Sequence, residues 1–349
     1  MEIGIIGVGK LGSCLALTLD SKGFSVIGCD INESYLEALE KKKFRSLEPS
    51  FNEYLASSCV TWTSDKMTTI AKSRIIFITV KTEELPSGEY DVSQVDSVMS
   101  EILQYELANK IFVINCNVNP GYTELWKSKI EEKGAQLAFN PEWVAQGTII
   151  KDQLKPENVV IGSYHDFVAD ELEDLYGDLC DNSPAIFRMS PAEAEIVKLG
   201  VNSFLAVKIA YCNMIGDMAC ATHCDPDVIL KAIGSDSRVG RKYFRYGFGF
   251  GGPCLPRDIN ALAAFSETLS MNFELPKCVS ADNKYHRTNY AEYLSADPDY
   301  IFETLSYKPG VDIYEFSEQL ETAKVMFRNG VEVRVNGKSA DEISKLLSS

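Results

Sequence analysis

The apolar positions of this chain follow two different rhythms. Over the first half, short runs of Ile, Val and Phe alternate with helix-length stretches. Residues 2–30 read as strand, tight turn, helix and strand: a β-branched run opens the chain, Leu11, Leu15, Ala16 and Leu19 follow as an apolar helix, and a second apolar run closes on Asp30. Further strands are predicted at 75–80 (IIFITV) and 111–115 (IFVIN), with a helix-like run at 92–107 between them, and another strand ends near Phe139. Alternation of this kind predicts a parallel sheet with right-handed crossovers.

The second rhythm begins at Ser190. The capping-box pattern Ser190-Pro191-Ala192-Glu193, with proline at the first helical position, launches a helix predicted to run to about Ala221. A shorter helix starts at Asp225-Pro226 and stops at Gly234, and the chain then passes through DSRVGRKYF into the loop GFGFGGPCLPRD at 247–258. Another helix is expected from near Pro256, a long connecting helix over 279–293, and a tail from Asp297 that reads as strand, loop, helix, strand and helix. The predicted architecture is α/β. A Rossmann-type doubly wound sheet occupies 1–189, an all-helical central domain with one long helix 190–295, and a small, truncated α/β C-terminal domain 296–349.

Candidate chemistry falls on these elements. Gly7, Gly9 and Gly12 match G-x-G-x-x-G between the first strand and first helix, and Asp30 closes the second strand. In that context Gly9 lets a pyrophosphate approach the helix N-terminus, while Asp30 accepts from a ribose 2′-hydroxyl and repels a 2′-phosphate, so NAD is expected over NADP. Ligand-facing residues should sit past the carboxyl ends of the strands, at 81–84, at 116–123 and at 139–148, where Glu142 lies. In the second half, Gly247, Gly249, Gly251 and Gly252 form a loop that buries no side chain and lets something come close. Cys254, a nucleophile once ionised, and Asp258, one helical turn on, follow it directly. Lys198 and Asn202 share a face of the long helix beside an apolar stripe.

Composition narrows the classes. Lys and Arg total 34 against 50 Asp and Glu in 349 residues, a net charge of −16, which argues against nucleic-acid and polybasic membrane partners. No stretch approaches the roughly 18 to 20 apolar residues of a membrane span, and the chain opens on a strand-like run without a signal peptide, so a cytoplasmic protein is expected. Ten cysteines without a C-x-x-C pair point to free thiols. Cys220, His223 and Cys224 provide at most three donors and no second cluster, so no metal is expected.

Taken in order, the dinucleotide fingerprint, ITVKTEELPSGEYDVSQV, NVNPGYT, NPEWVAQGT, AEIVKLGVNSFLAVKI, the DSRVG segment and GFGGPCLPRD resemble the UDP-glucose/GDP-mannose dehydrogenase family over roughly residues 1–290. The resemblance implies NAD-dependent oxidation of a nucleotide sugar at C6 to the uronic acid, with UDP-glucose favoured. It implies Cys254 as catalytic nucleophile, Lys198 and Asn202 as the sugar-proximal pair, Glu142 as the residue serving the hydrolytic half and Asp258 as support for the water and the lysine. Lys10, Leu11, Val80, Lys81, Asn117 and Gln146 would join Gly7, Gly9, Gly12 and Asp30 around the cofactor. Trp143, Tyr243, Tyr246, Gly251 and Lys308 would contact the substrate, and Arg238 would reach the substrate of a second subunit across a homodimer built on the long helix.

The chemistry suits these residue types. Oxidising a primary alcohol to an acid removes four electrons in two hydride steps, and a thiolate can hold the intermediate as thiohemiacetal and then thioester. With only three His, none in a matching motif, a histidine base is not expected. Departures from the pattern are Asn117 in place of Thr, Gln146 in place of a second acid, Glu315 in place of an Arg within YKPGVDIYEFSE, and a short tail. They leave two other readings open: a two-electron hydroxyacid-type dehydrogenase with no use for Cys254, and an NAD-binding partner protein with impaired catalysis.

Overall fold

The structure, a computed structural model, describes residues 2–348 and divides into two compact units, Met1–Lys198 and Leu199–Ser349. In the first unit eight strands form one sheet: β1 (Glu2–Ile6), β2 (Ser25–Cys29), β3 (Thr61–Thr63), β4 (Ile75–Ile78), then β7 (Ile111–Ile114), β8 (Gln136–Phe139), β9 (Asn158–Ser163) and β10 (Ala185–Met189). A two-stranded hairpin of β5 (Glu83–Glu84) and β6 (Tyr90–Asp91) stands apart. The sheet order is β10-β9-β8-β7-β4-β1-β2-β3, so the chain reverses its direction of winding between β1 and β4, the place where open α/β sheets leave a crevice.

The strands read as nearly continuous apolar runs because both faces are buried. Ile75, Phe77, Ile111 and Val113 join the core on one face, and Ile76, Ile78, Phe112 and Ile114 join the core on the other. Each such side chain, taken from water, contributes about 1.5–3 kcal/mol.

Six strands are parallel, as expected, but β9 runs antiparallel to β8, pairing through Ala138↔Ser163 and Phe139↔Gly162, and β10 is parallel to β9. The β8/β9 pairing is antiparallel in register. The connection explains the reversal. It carries the loop with Glu142 and only a six-residue helix, Ile149–Leu154, packed on the first helix, Lys10–Ser21, in place of a full crossover helix.

The long helix spans Pro191–Ala221, and its predicted box is present: the Ser190 amide and hydroxyl both donate to Glu193 Oε2 at 2.7 Å. With a mean hydropathy of 1.3 over its most apolar window, it is long and apolar enough to cross a bilayer by length and composition. The sequence reading passed over it because polar residues interrupt the apolar run.

The second unit also contains helices Pro226–Ile233, Leu255–Thr268, Leu275–Ser295, Glu318–Arg328 and Ala340–Ser348. Asp225 caps the first of these by accepting from the Asp227 amide at 2.8 Å. The strands expected in the tail are reduced to a single parallel bridge, Phe302↔Val335, held by Phe302 N–H to the Arg334 carbonyl at 2.9 Å and Asn336 N–H to the Phe302 carbonyl at 2.8 Å. Two short segments with no third strand gain too few ladder bonds to extend. Phe302, Leu305, Leu320, Ala323 and Met326 pack a small core around this bridge.

Candidate active site

In the first unit the chain leaves β1 through Gly7, at φ +95°, which donates its amide to the Cys29 carbonyl at 2.8 Å. A Cβ here would press on the Val80 backbone just past β4, so the two turns that flank the crevice approach as only glycine allows. Gly9 caps the helix Lys10–Ser21, and an added Cβ would meet nothing within 4 Å: the helix N-terminus is open to a phosphate. Gly12, by contrast, is packed so closely that a Cβ would collide with the Gly7 carbonyl. Asp30, half-buried at the end of β2, accepts from the Asn32 amide at 2.9 Å. These features fit a dinucleotide whose ribose faces Asp30.

Around this cradle Leu11 and Val80 are half-buried against the two faces of the core, and Asn117 is half-buried at the end of β7. Lys81 is exposed and ion-paired with Glu83. Lys10 lies 3.9 Å from Glu48, a residue the sequence reading missed. Glu48 is buried and accepts from the amides of Gly147 at 2.7 Å and Ile149 at 2.6 Å, so one carboxylate ties the glycine-rich turn's lysine to the segment that follows Gln146. The buried Oε1 of Gln146 has no hydrogen-bond partner among the described residues.

Glu142, Trp143 and Lys198 do meet. Lys198 donates to the Glu142 carbonyl at 2.7 Å, and its ammonium lies 5.0 Å from the Trp143 ring centre. Burial pushes the Glu142 carboxyl up to about 7, against the pull of Lys198 and of the Asn115 and Gln153 amides. A small cavity beside it is lined by Asn140, Gln153 and Tyr176, with the Tyr176 hydroxyl donating to Asn140. A group that changes charge near neutrality is suited to taking a proton from water and returning it.

In the second unit Asn202 donates to Asp258, which is fully buried one turn into the helix Leu255–Thr268. Cys254 caps that helix and is exposed, and the Asp258 amide bonds back to its carbonyl at 2.9 Å. A negative charge at Cys254 would meet the positive end of the helix dipole. In five other thiols burial acts on the pKa: it pushes Cys29 and Cys180 up to about 11, Cys116 and Cys212 up to about 12, and Cys14 higher still. All ten cysteines are free.

What comes close to the glycine loop is partly the chain itself. A Cβ on Gly249 would overlap the Asn283 side chain, whose amide grips Phe250 N–H at 2.9 Å and its carbonyl at 3.0 Å. Gly251 lies against the Phe316 carbonyl. Tyr246, expected at the substrate, is half-buried. Its hydroxyl donates to Asp217 at 2.9 Å, and its ring covers Gly216. Tyr243 is exposed at φ +59°, Arg238 is exposed and paired with Asp236, and Lys308 lies 5.8 Å from the Tyr307 ring centre. Among the described residues no group of three or more His, Cys, Asp or Glu is arranged to hold a metal.

Sheet order, the open helix N-terminus and an acid at the end of the second strand are those of a dinucleotide-binding Rossmann fold. The chain belongs to the UDP-glucose/GDP-mannose dehydrogenase family: residues 1–180 match its NAD-binding domain and residues 192–285 its central domain. NAD is the cofactor of these enzymes. The chain is 30% identical over 302 residues to the UDP-glucose 6-dehydrogenase TuaD of Bacillus subtilis, covering 84% of this chain and 65% of that protein, just under two thirds of its length. It is 27% identical over 359 residues to a GDP-mannose 6-dehydrogenase of Pseudomonas savastanoi pv. phaseolicola, covering 96% of this chain and 80% of that one. Among solved structures, a UDP-glucose dehydrogenase from the hyperthermophilic archaeon Pyrobaculum islandicum superposes with a TM-score of 0.85 at 29% identity, covering 96% of this chain and 81% of that one.

Proposed function

We propose that this protein oxidises the C6 alcohol of a nucleotide sugar, UDP-glucose favoured, to the uronic acid by way of a thiohemiacetal and a thioester on Cys254. The observation that carries the reading is the contrast among thiols: Cys254 is exposed at a helix N-terminus, while Cys14, Cys29, Cys116 and Cys212 are buried and burial pushes their thiols up. NAD, when bound, accepts a hydride in each of the two oxidations. Lys198, oriented by the Glu142 carbonyl and Trp143, stabilises the oxyanions at the C6 oxygen. Asn202, held by Asp258, adds a directed donor. Glu142 accepts the proton of the water that hydrolyses the thioester.

The remaining roles follow from the same reading. Asp30 sets the preference for NAD, and Gly7, Gly9, Lys10, Val80, Lys81 and Asn117 line its cradle. Gln146 keeps a hydrogen-bonding role without a titrating one. Residues 296–349, with Lys308, serve as a reduced nucleotide-sugar-binding domain, and Arg238 reaches across a homodimer. Exposed Phe204, Tyr211 and Met218 on the long helix support that assembly. The similarity to a GDP-mannose 6-dehydrogenase supports GDP-mannose as the second candidate substrate.

The test is a panel of UDP- and GDP-sugars with NAD and purified protein, counting NADH per acid. Two NADH per uronic acid are expected, with Cys254→Ala making no acid and Cys254→Ser slowed by orders of magnitude. One NADH per sugar, or acid at near wild-type rate from Cys254→Ala, sinks the covalent mechanism.

A further inference from the structure

The second unit holds one buried histidine, which the proposed chemistry does not use. His286, on the helix Leu275–Ser295, is 3% exposed. Its Nδ1 faces both carboxylate oxygens of Asp217, at 2.9 and 3.0 Å, and its Nε2 lies 2.7 Å from the Gly247 carbonyl, the first residue of the glycine loop. A carbonyl oxygen only accepts, so Nε2 carries a proton and donates it. The Asp217 carboxylate also accepts from the Tyr246 hydroxyl at 2.9 Å and from the Asn289 side-chain amide at 2.8 Å. Burial and Asp217 together push the Tyr246 phenol far up, so it remains the donor.

Everything around this ring fixes it in place. Tyr290 stacks on it with ring centres 5.4 Å apart, and Tyr246 meets it edge-on at 5.6 Å. The loop is gripped from two helices at once. Asn213, one turn before Asp217, accepts from the Gly247 amide at 3.1 Å, and Asn283, one turn before His286, holds Phe250. Gly247 therefore has both its N–H and its C=O committed, seven residues before Cys254.

We infer that His286 is a positioning residue: bridging Asp217 and the Gly247 carbonyl, it fixes the start of the loop that ends in Cys254 and so sets how that thiol is presented. The inference rests on the reading of Cys254 as nucleophile, but its test does not depend on turnover alone. The first measurement uses the unaltered full chain with 15N-labelled histidine. A slowly exchanging ring Nε2–H is expected from His286, the other two histidines, His165 and His223, being exposed. Absence of any protected ring proton overturns the bridge, and this holds even if a variant fails to fold.

The second measurement compares His286→Phe, which keeps a ring but no donor, with His286→Gln, which keeps a donor toward Gly247. In the Phe variant the alkylation rate of Cys254 by iodoacetamide, followed by peptide mass, should change at least five-fold while Cys59 and Cys278 stay as they were. With an active substrate, kcat should fall about ten-fold or more with the KM for NAD unchanged, and His286→Gln should recover part of both. Asp217→Asn should act through the same bridge, so adding it to His286→Phe should cost little more than either alone. Alkylation and kcat within two-fold of the unaltered protein in His286→Phe, or fully multiplicative effects in the double variant, overturn the inference. If no sugar is oxidised, the ring proton and the alkylation rates still decide it.

Discussion

Replacing Glu142 by Gln should separate a stability effect from a catalytic one. In the folded chain burial raises this carboxyl from 4.5 to about 7. Below pH 4.5 both folded and unfolded forms hold the proton, and the side chain makes no difference between them. Between 4.5 and about 7 the unfolded chain releases the proton while the folded chain keeps it, so stability falls as pH rises, and above about 7 the loss is complete. That gap, at about 1.4 kcal/mol per pH unit, amounts to about 3 kcal/mol. Glu142→Gln removes the titration while nearly preserving shape. Relative to the unaltered protein it should gain about 3 kcal/mol between pH 4.5 and pH 8. All three tryptophans, Trp62, Trp126 and Trp143, lie in the unit Met1–Lys198, so tryptophan fluorescence in urea reads the right unit. Acid formation should meanwhile drop by roughly 10²–10⁴ and lose its rise with pH near 7. Stability curves that stay parallel from pH 5 to 8 would refute the reasoning, since Glu142 would then titrate as an ordinary carboxylate.

Three further outcomes are expected. Asp30→Ala should narrow the preference for NAD over NADP, and equal rates with both cofactors in the unaltered protein at sub-saturating concentration would refute the role given to Asp30. Gly249→Ala forces a Cβ into the Asn283 amide and should destabilise the second unit by about 1–3 kcal/mol, read as a lowered far-UV melting transition, with no change in tryptophan-reported unfolding of the first unit. Light scattering at micromolar concentration should report at least a dimer, and a clean monomer would remove the trans role of Arg238.

Features that rest on a few consecutive residues could be read from the sequence. Ser190 and Glu193 box a helix start, Asp225 caps the next helix, and Gly7, Gly9 and Gly12 sit where the strand turns into the helix, because caps, turns and side-chain period are settled within one or two turns of chain. The order of Glu142, Lys198, Asn202, Cys254 and Asp258 was legible as a pattern, and Lys198 with Glu142 and Asn202 with Asp258 are brought together within their units. Other features were settled only by tertiary structure. The reversal of β9 depended on where the segment after Phe139 packs, a competition between the first helix and the sheet edge that no local pattern records. Glu48 reaches Gly147 across 99 residues, and His286 reaches Gly247 across 39 and Asp217 across 69. A lone Glu before a proline or a lone His in a helix carries no signal of its partner; burial supplies it, because a polar group taken out of water is stable only where the fold returns its hydrogen bonds. Burial also decided which thiols are inert and brought the Glu142 carboxyl to neutrality, two properties of a residue's surroundings rather than of its type.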